Sequence, residues 1–255
     1  MSEALDIFNS SKTVIPDIRC VLPGSGEEIF MRPYTTSEQK SILKTFESED
    51  EILLGEAFDA LLKNCVTNKG FNPDAMLSRD REYLLIKLRQ ESDSDTYAHR
   101  WKCEECNFYN TTDINLTKLD EDIADIDLSE KEITLEGNDS VLVLGPATRA
   151  DEKNIAKHIR KYPIKKDQTS HAEILNAAYA AVIKRVKKGD RECAVDFKTA
   201  MTMFSNLHMD DRKQIEDYME GLKEYGVDMK LGKETCKECR EVSDQEMNWV
   251  SFFLK

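Results

Sequence analysis

Two Cys-x-x-Cys pairs, Cys103/Cys106 and Cys236/Cys239, stand in a chain of 255 residues whose other cysteines are Cys20, Cys65 and Cys193. Seven cysteines in that length predict roughly 0.2 such pairs by composition alone, so two pairs are a signal. Thiolates at i and i+3 of a tight turn put both sulfurs on one side of the backbone, where turn amides can hydrogen-bond to them. Two thiolates do not close a tetrahedral shell. The economical arrangement brings Cys103, Cys106, Cys236 and Cys239 together as one zinc site, one ion per chain, fastening segments about half a chain apart. Four sulfurs keep no position for water, so the expected role is structural. Lys102 and Lys237 flank the pairs and are placed to offset the double negative charge of such a centre. His99 is the alternative ligand, but a single histidine four residues before a complete pair reads as a surface side chain. The rival readings are a redox pair or four unrelated thiols; a redox Cys-x-x-Cys needs a βαβ setting that opens a helix, and neither pair has it.

Other chemistry finds little support. The chain lacks the His-x-Glu…Pro-Cys-x-x-Cys pattern of zinc deaminases, His-Glu-x-x-His, a phosphate-binding glycine loop and Gly-x-Ser-x-Gly. Gly24-Ser25-Gly26 is too short for a phosphate loop and reads as turn chemistry. Acidic residues are abundant but spread along helix faces and linkers, without the paired constellation that acid and base catalysis needs. Cys20, Cys65 and Cys193 fall in strand or helix patterns and read as small buried hydrophobes; Met201, Met203 and Phe204 read as core, with interface surface as the alternative. No enzyme is expected.

Composition narrows the partners. With 40% hydrophobic and 33% charged residues the chain is of globular type, and no apolar run reaches the length that spans a bilayer. The opening residues, Met1 to Lys12, are polar and acidic, unlike a secretory leader, which points to synthesis in the cytosol, where paired thiols hold metal more often than they form disulfides. The triplets at Asn110, Asn115 and Asn138 are then incidental to glycosylation. A net charge of −13 repels nucleic acid and anionic membrane and favours protein partners. Two basic stretches oppose the trend, His158 to Lys166 and Lys184 to Lys188. They read as solvated faces at helix ends, with a patch for an acidic partner as the alternative.

The elements that must position the cysteines fall into an α+β pattern of β-hairpins and helical bundles. Val14 to Leu22 and Glu28 to Arg32 flank a Pro-Gly-Ser-Gly turn and form a hairpin. After Pro33, Thr36 with Gln39 makes a capping box for a helix carrying Ile42, Leu43 and Phe46. Helices follow at about Glu51 to Cys65 and Arg79 to Arg89, then strands Thr96 to Trp101 and Phe108 to Leu116 around the first knuckle. Beyond an acidic connector, Asp120 to Asp127, the order repeats: a hairpin of Ile133 to Leu135 and Val141 to Leu144 about Gly137-Asn138-Asp139, then helices at Ser170 to Lys187, Asp196 to Asn206 and Asp210 to Tyr225. Gly226 stands as the left-handed cap of the last. The offset that lays Pro33 on Pro146 also lays Thr35 on Thr148 and Glu38 on Asp151. A somewhat larger one lays Cys103 on Cys236, Cys106 on Cys239 and Asn115 on Asn248. The reading is two related halves, 1–128 and 129–255, in one compact unit, each giving half of one metal site, the extra length of the second being longer helices.

The stretches Pro23-Gly24-Ser25-Gly26-Glu27, Met31-Arg32-Pro33-Tyr34-Thr35-Thr36-Ser37-Glu38-Gln39-Lys40, Phe46-Glu47-Ser48-Glu49-Asp50 and Lys63-Asn64-Cys65 carry a resemblance. With Tyr83 to Arg89, and Cys103-Glu104-Glu105-Cys106 ahead of Asp113-Ile114-Asn115-Leu116, the chain resembles the baseplate hub subunits of T-even-type contractile-tailed bacteriophages. The likeness covers the first 120 residues well and the rest loosely; the second half departs at Gly145-Pro146-Ala147. It implies a non-enzymatic component of the tail baseplate in the virion, at or near the hub or needed while the hub assembles in the host cytoplasm, with other hub and wedge proteins as partners. A zinc-ribbon regulator that binds nucleic acid or the transcription machinery is the rival from another class; it predicts basic strands around the knuckles, whereas Glu104, Glu105, Asp113, Glu234, Glu238 and Glu241 make them acidic or mixed. A hub assembly chaperone absent from the virion is the third reading.

Overall fold

The computed structural model describes residues 17–48, 50–120, 123, 126–137, 139–161, 170–222, 225–227, 230–247 and 249–253. Residues 14–16 of the first expected strand, half of the acidic connector, Asn138, residues 162–166 of the first basic stretch and Asn248 lie outside them. The fold is α+β, with antiparallel hairpins and helices alternating along the chain.

Strands β1 (Ile18–Val21) and β2 (Glu28–Met31) pair from Ile18↔Met31 to Val21↔Glu28. Their turn is gripped from below. Asp80, fully buried, accepts the N–H groups of Gly24 at 2.6 Å and Ser25 at 2.9 Å. A Cβ on Gly24 would lie 2.8 Å from the Asp80 carboxylate and 2.9 Å from the Tyr225 ring, so only glycine fits. Helix α1 (Thr36–Phe46) opens on a capping box one residue earlier than the sequence suggests: Thr35 caps the Glu38 N–H, and Glu38 reaches back to the Thr35 N–H at 2.7 Å. Both spacings fit the pattern. Arg32 decides it, holding Glu38 at 2.7 Å. Helix α2 (Glu51–Cys65) starts on Asp50, whose carboxylate accepts from Ile52 and Leu53.

Helix α3 (Ser78–Ser92) is buried almost all round, with Leu84, Leu85, Ile86 and Leu88 among the most enclosed side chains. A helix so placed cannot leave its charges unpartnered. Arg89 donates to Phe252 O at 2.6 Å and Ser94 O at 3.0 Å. Arg81 donates to Asp59 at 2.8 Å and Gly55 O at 2.9 Å. Asp59 also takes Arg149 at 3.1 Å and Lys153 at 2.9 Å, both from helix α4 (Arg149–Lys161). This buried knot joins α2 and α3 to α4.

The hairpin of β5 (Lys131–Thr134) and β6 (Val141–Leu144) pairs from Lys131↔Leu144 to Thr134↔Val141. Its register is that of β1 and β2 carried forward by the same offset that lays Pro33 on Pro146. Thr148 and Asp151 bond reciprocally at the start of α4, as Thr35 and Glu38 do at α1. Buried Asp211 accepts the Glu136 N–H at 3.2 Å, as Asp80 grips the first turn. Each of these two aspartates is followed by an arginine.

The segment expected as one helix from Ser170 to Lys187 is not one. Helix α5 (Ser170–Ala181) ends, and the chain continues as β7 (Ile183–Lys188), turns at Gly189 with φ 56°, and returns as β8 (Arg191–Ala194). The open edge of β6 takes β7, giving the antiparallel order β5-β6-β7-β8. The extra length of this part of the chain is therefore a hairpin rather than longer helices. The basic stretch Lys184 to Lys188 is a strand rather than a helix end, and neighbours hold its charge: Lys184 meets Asp151, Arg185 meets Glu130 and Glu192, and Lys187 meets Glu132. Cys193, expected buried, is exposed on the edge strand, while Cys20 and Cys65 are buried as expected. Helices α6 (Phe197–Ser205), capped by Asp196, and α7 (Met209–Gly221) follow. Helix α7 stops at Gly221, so Gly226 is not its cap; at φ 80° it packs against Arg79 instead.

Two large apolar clusters result among the described residues. One gathers Ile29, Met31, Leu62, Leu84, Leu85, Ile86, Leu88 and Tyr97 with Val227, Met247, Phe252 and Phe253 from much later in the sequence. The other gathers Ile133, Leu142, Leu144, Val182, Phe204, Ile215 and Tyr218. The closing helix α8 (Trp249–Phe252) thus packs into the first cluster, with Phe253 O accepting from Gln39 at 3.3 Å.

Candidate metal centre

Two antiparallel ribbons carry the cysteines: β3 (Thr96–Lys102) with β4 (Tyr109–Asn115), and β9 (Lys230–Thr235) with β10 (Val242–Glu246). Strand β3 alternates strictly, turning Tyr97, His99 and Trp101 inward. At the ribbon tip the Cys103 N–H bonds Phe108 O at 2.9 Å and the Asn107 N–H bonds Cys103 O at 2.9 Å. The second tip repeats both bonds at the matching positions, Cys236 with Glu241 at 2.7 Å and Arg240 with Cys236 at 3.1 Å. Asn107 and Arg240 both hold left-handed φ, 60° and 67°, which closes each turn tightly enough to aim its two sulfurs together.

The four Sγ atoms of Cys103, Cys106, Cys236 and Cys239 lie within 4.8 Å of one another. The pairs Cys103/Cys239 and Cys106/Cys236 are each 3.6 Å apart, so the contacts run between ribbons. Four sulfurs about 2.3 Å from a central zinc stand about 3.8 Å from each other in a tetrahedron. The donor set and its spacing fit that ion. Cys103 and Cys236 are buried with Trp101, whereas Cys106 and Cys239 face solvent.

Loss of hydration works against ionising Cys236, but N–H groups of Cys239 and Glu238 and the Asn110 amide outweigh it and bring its thiol down to about 6. At Cys239 the Glu241 N–H favours the thiolate, yet desolvation and the other three sulfurs push the thiol up to about 12. Thiols crowded in this way need a cation before all can ionise.

The surrounding contacts tie ribbon to ribbon. Asn110, buried on β4, donates to Cys236 Sγ at 3.5 Å and accepts the Lys237 N–H at 2.9 Å. Its enclosure in protein agrees with treating its Asn-x-Thr triplet as incidental. Thr112 donates to Glu234 at 3.2 Å. Lys237 spends its ammonium on Thr111 O at 3.1 Å and Lys102 lies over the Tyr109 ring at 5.9 Å. His99 is neither a ligand nor a surface side chain. It is buried, with Nδ1 3.1 Å from the Tyr97 hydroxyl and Nε2 3.3 Å from Gln245 Oε1 on β10. Sequence reasoning missed Asn110 and Gln245; the inward register of Asn110 in β4 was the available signal.

Fold and cluster together define an α+β protein of hairpins and ribbons in which four cysteines from two distant tips lie close enough together to hold a metal ion. No described helix is long and apolar enough to cross a membrane. The chain belongs to the T4 bacteriophage base plate protein family, whose model matches residues 15–254. No curated protein and no solved structure matches it. Its role is accordingly that of a structural protein of a phage baseplate, placed in the virion tail and associating with other baseplate proteins.

Proposed function

We propose that the chain is a structural component at or near the baseplate hub, built of two related halves that one zinc ion clamps through Cys103, Cys106, Cys236 and Cys239. The carrying observation is the meeting of four Sγ atoms within 4.8 Å from ribbon tips that lie far apart in the sequence. The matched registers, caps and turn-gripping aspartates support related halves. When bound, zinc neutralises thiolate charge and adds folding free energy on the order of 10 kcal/mol. Four sulfur ligands keep no open position, so no hydrolytic chemistry is assigned to it.

Elemental analysis of the purified chain should give one zinc per chain; two or none refutes the shared site. Cys103→Ser should speed hydrogen exchange in both ribbons, since one ion joins them, and a change confined to 103–107 would instead mean independent knuckles. Quantitative mass spectrometry of purified particles should find the chain at fixed copy number beside hub proteins. Its absence there would assign it to assembly alone.

A further inference from the structure

The second hairpin grows into a four-stranded sheet because the chain leaving α5 runs beside β6 as β7 and folds back as β8. The chain leaving α2 begins in the same manner. Val66 bridges Met31, and the Arg32 N–H donates to Cys65 O at 2.9 Å, as Leu144 faces Ile183 and the Gly145 N–H donates to Val182 O at 2.9 Å. Then it stops. The Thr67 N–H takes Phe30 O, and the Asn68 amide finishes the edge, accepting from the Phe30 N–H at 2.6 Å and donating to Glu28 O at 2.9 Å. Gly70, at φ 79°, turns the chain away. Beside this edge lies an open cavity of about 500 Å³ lined in part by Asp17, Glu27, Phe30, Asn68, Lys69 and Phe71.

The corresponding positions differ in a telling way. Phe30 is 37% exposed, whereas Val143, at the same register position of β6, is 1% exposed beside β7. Glu130, which precedes β5 as Asp17 precedes β1, is paired with Arg185 of β7. Among the described residues neither Asp17 nor Glu27 has an ion pair.

We infer that this groove is a docking site for an extended segment of another baseplate subunit, with an apolar side chain for the space beside Phe30 and Phe71 and a Lys or Arg facing Asp17. The chain contains its own example of the occupant, since β7 brings Arg185 to Glu130 at the corresponding place. Thr67 and Asn68 already satisfy outward backbone groups of β2, so side chains carry the recognition rather than strand addition. The inference rests on the related-halves reading.

The test uses the purified full-length chain against an array of overlapping short peptides covering the baseplate proteins of the same phage. Peptides pairing an apolar residue with Lys or Arg should bind and slow hydrogen exchange in 28–31 and 66–76. Binding should weaken roughly tenfold or more for Phe30→Asp and for Asp17→Lys, and a peptide with Glu for its basic residue should recover binding to Asp17→Lys. Absence of binding, indifference to both variants, protection elsewhere, or a Phe30-dependent dimer in sedimentation would overturn the assignment. Metal content scores the clamp separately, so either reading can fail while the other stands.

Discussion

Asp59→Asn removes the one anion at the centre of a buried ion-pair network. Asp59 is 3% exposed and its carboxylate faces Arg81 Nε at 2.8 Å, Arg149 Nε at 3.1 Å and Lys153 Nζ at 2.9 Å. Its carboxyl is held below the usual range because, although burial opposes ionisation, the Arg81 charge and the Lys153 and Arg149 contacts outweigh it. Asparagine is nearly isosteric, so the packing stays while three cations lose their shared anion. Breaking a buried pair typically costs about 3–5 kcal/mol. Lys153 keeps Asp74 and Arg149 keeps Glu152, which places the expected loss near the lower end, about 3 kcal/mol. Urea unfolding of the purified chain, followed by far-UV circular dichroism, measures it as a fall in midpoint at unchanged slope. A loss under about 1 kcal/mol would refute the view that this knot couples α4 to α2 and α3. Replacing Asp59, Arg81 and Arg149 together with apolar residues should cost less than Asp59→Asn, because no buried arginine is left without its anion, Lys153 keeps Asp74, and Glu152 is partly exposed.

Two further outcomes follow from the first hairpin and its helix. Gly24→Ala should destabilise by about 1–3 kcal/mol, since its Cβ meets the Asp80 carboxylate, the Tyr225 ring and Leu128 within 3.0 Å; unchanged thermal stability would contradict that packing. The Arg32 guanidinium, with the Thr35 N–H and hydroxyl, brings the Glu38 carboxyl down to about 2 against the opposing effect of burial. A depressed carboxyl contributes stability that is complete above its unfolded value near 4.5 and is lost as pH falls through about 2. Glu38→Gln should therefore flatten the stability profile between those limits, and an unaltered slope in a pH series of urea melts would count against the assignment.

The cysteine motif was legible because i and i+3 in a turn is a local geometry, and the first two hairpins because Pro-Gly-Ser-Gly and Gly-Asn-Asp announce their turns. Strand β7 was not. Val182, Ile183 and Val186 also fit the apolar spacing of a helix continuing from the alanine-rich α5, and only the open edge of β6, distant in sequence, selects the strand. The capping box was read one residue late because Thr35/Glu38 and Thr36/Gln39 satisfy the same pattern, and the tie is broken by Arg32. The Asp59 knot was invisible for the same reason: its members are ordinary surface residue types, brought inside by helices whose packing no local spacing encodes. Of the site, the four cysteines were legible and the amide and imidazole bridges between ribbons were not.

The burial of Phe252 and Phe253 in the cluster built by α2 and α3 has a consequence for the order of synthesis. Leu84 to Leu88 leave the ribosome long before the aromatic pair that covers them, a delay on the order of ten seconds at ordinary elongation rates. During that time the nascent first core is incomplete, and the first ribbon waits for Cys236 and Cys239. A chain cut short after α7 would have neither its aromatic lid nor its second pair of thiols. Closure of the first core and of the cysteine cluster is thus tied to the same late stretch, residues 236–253, so the two form together or not at all.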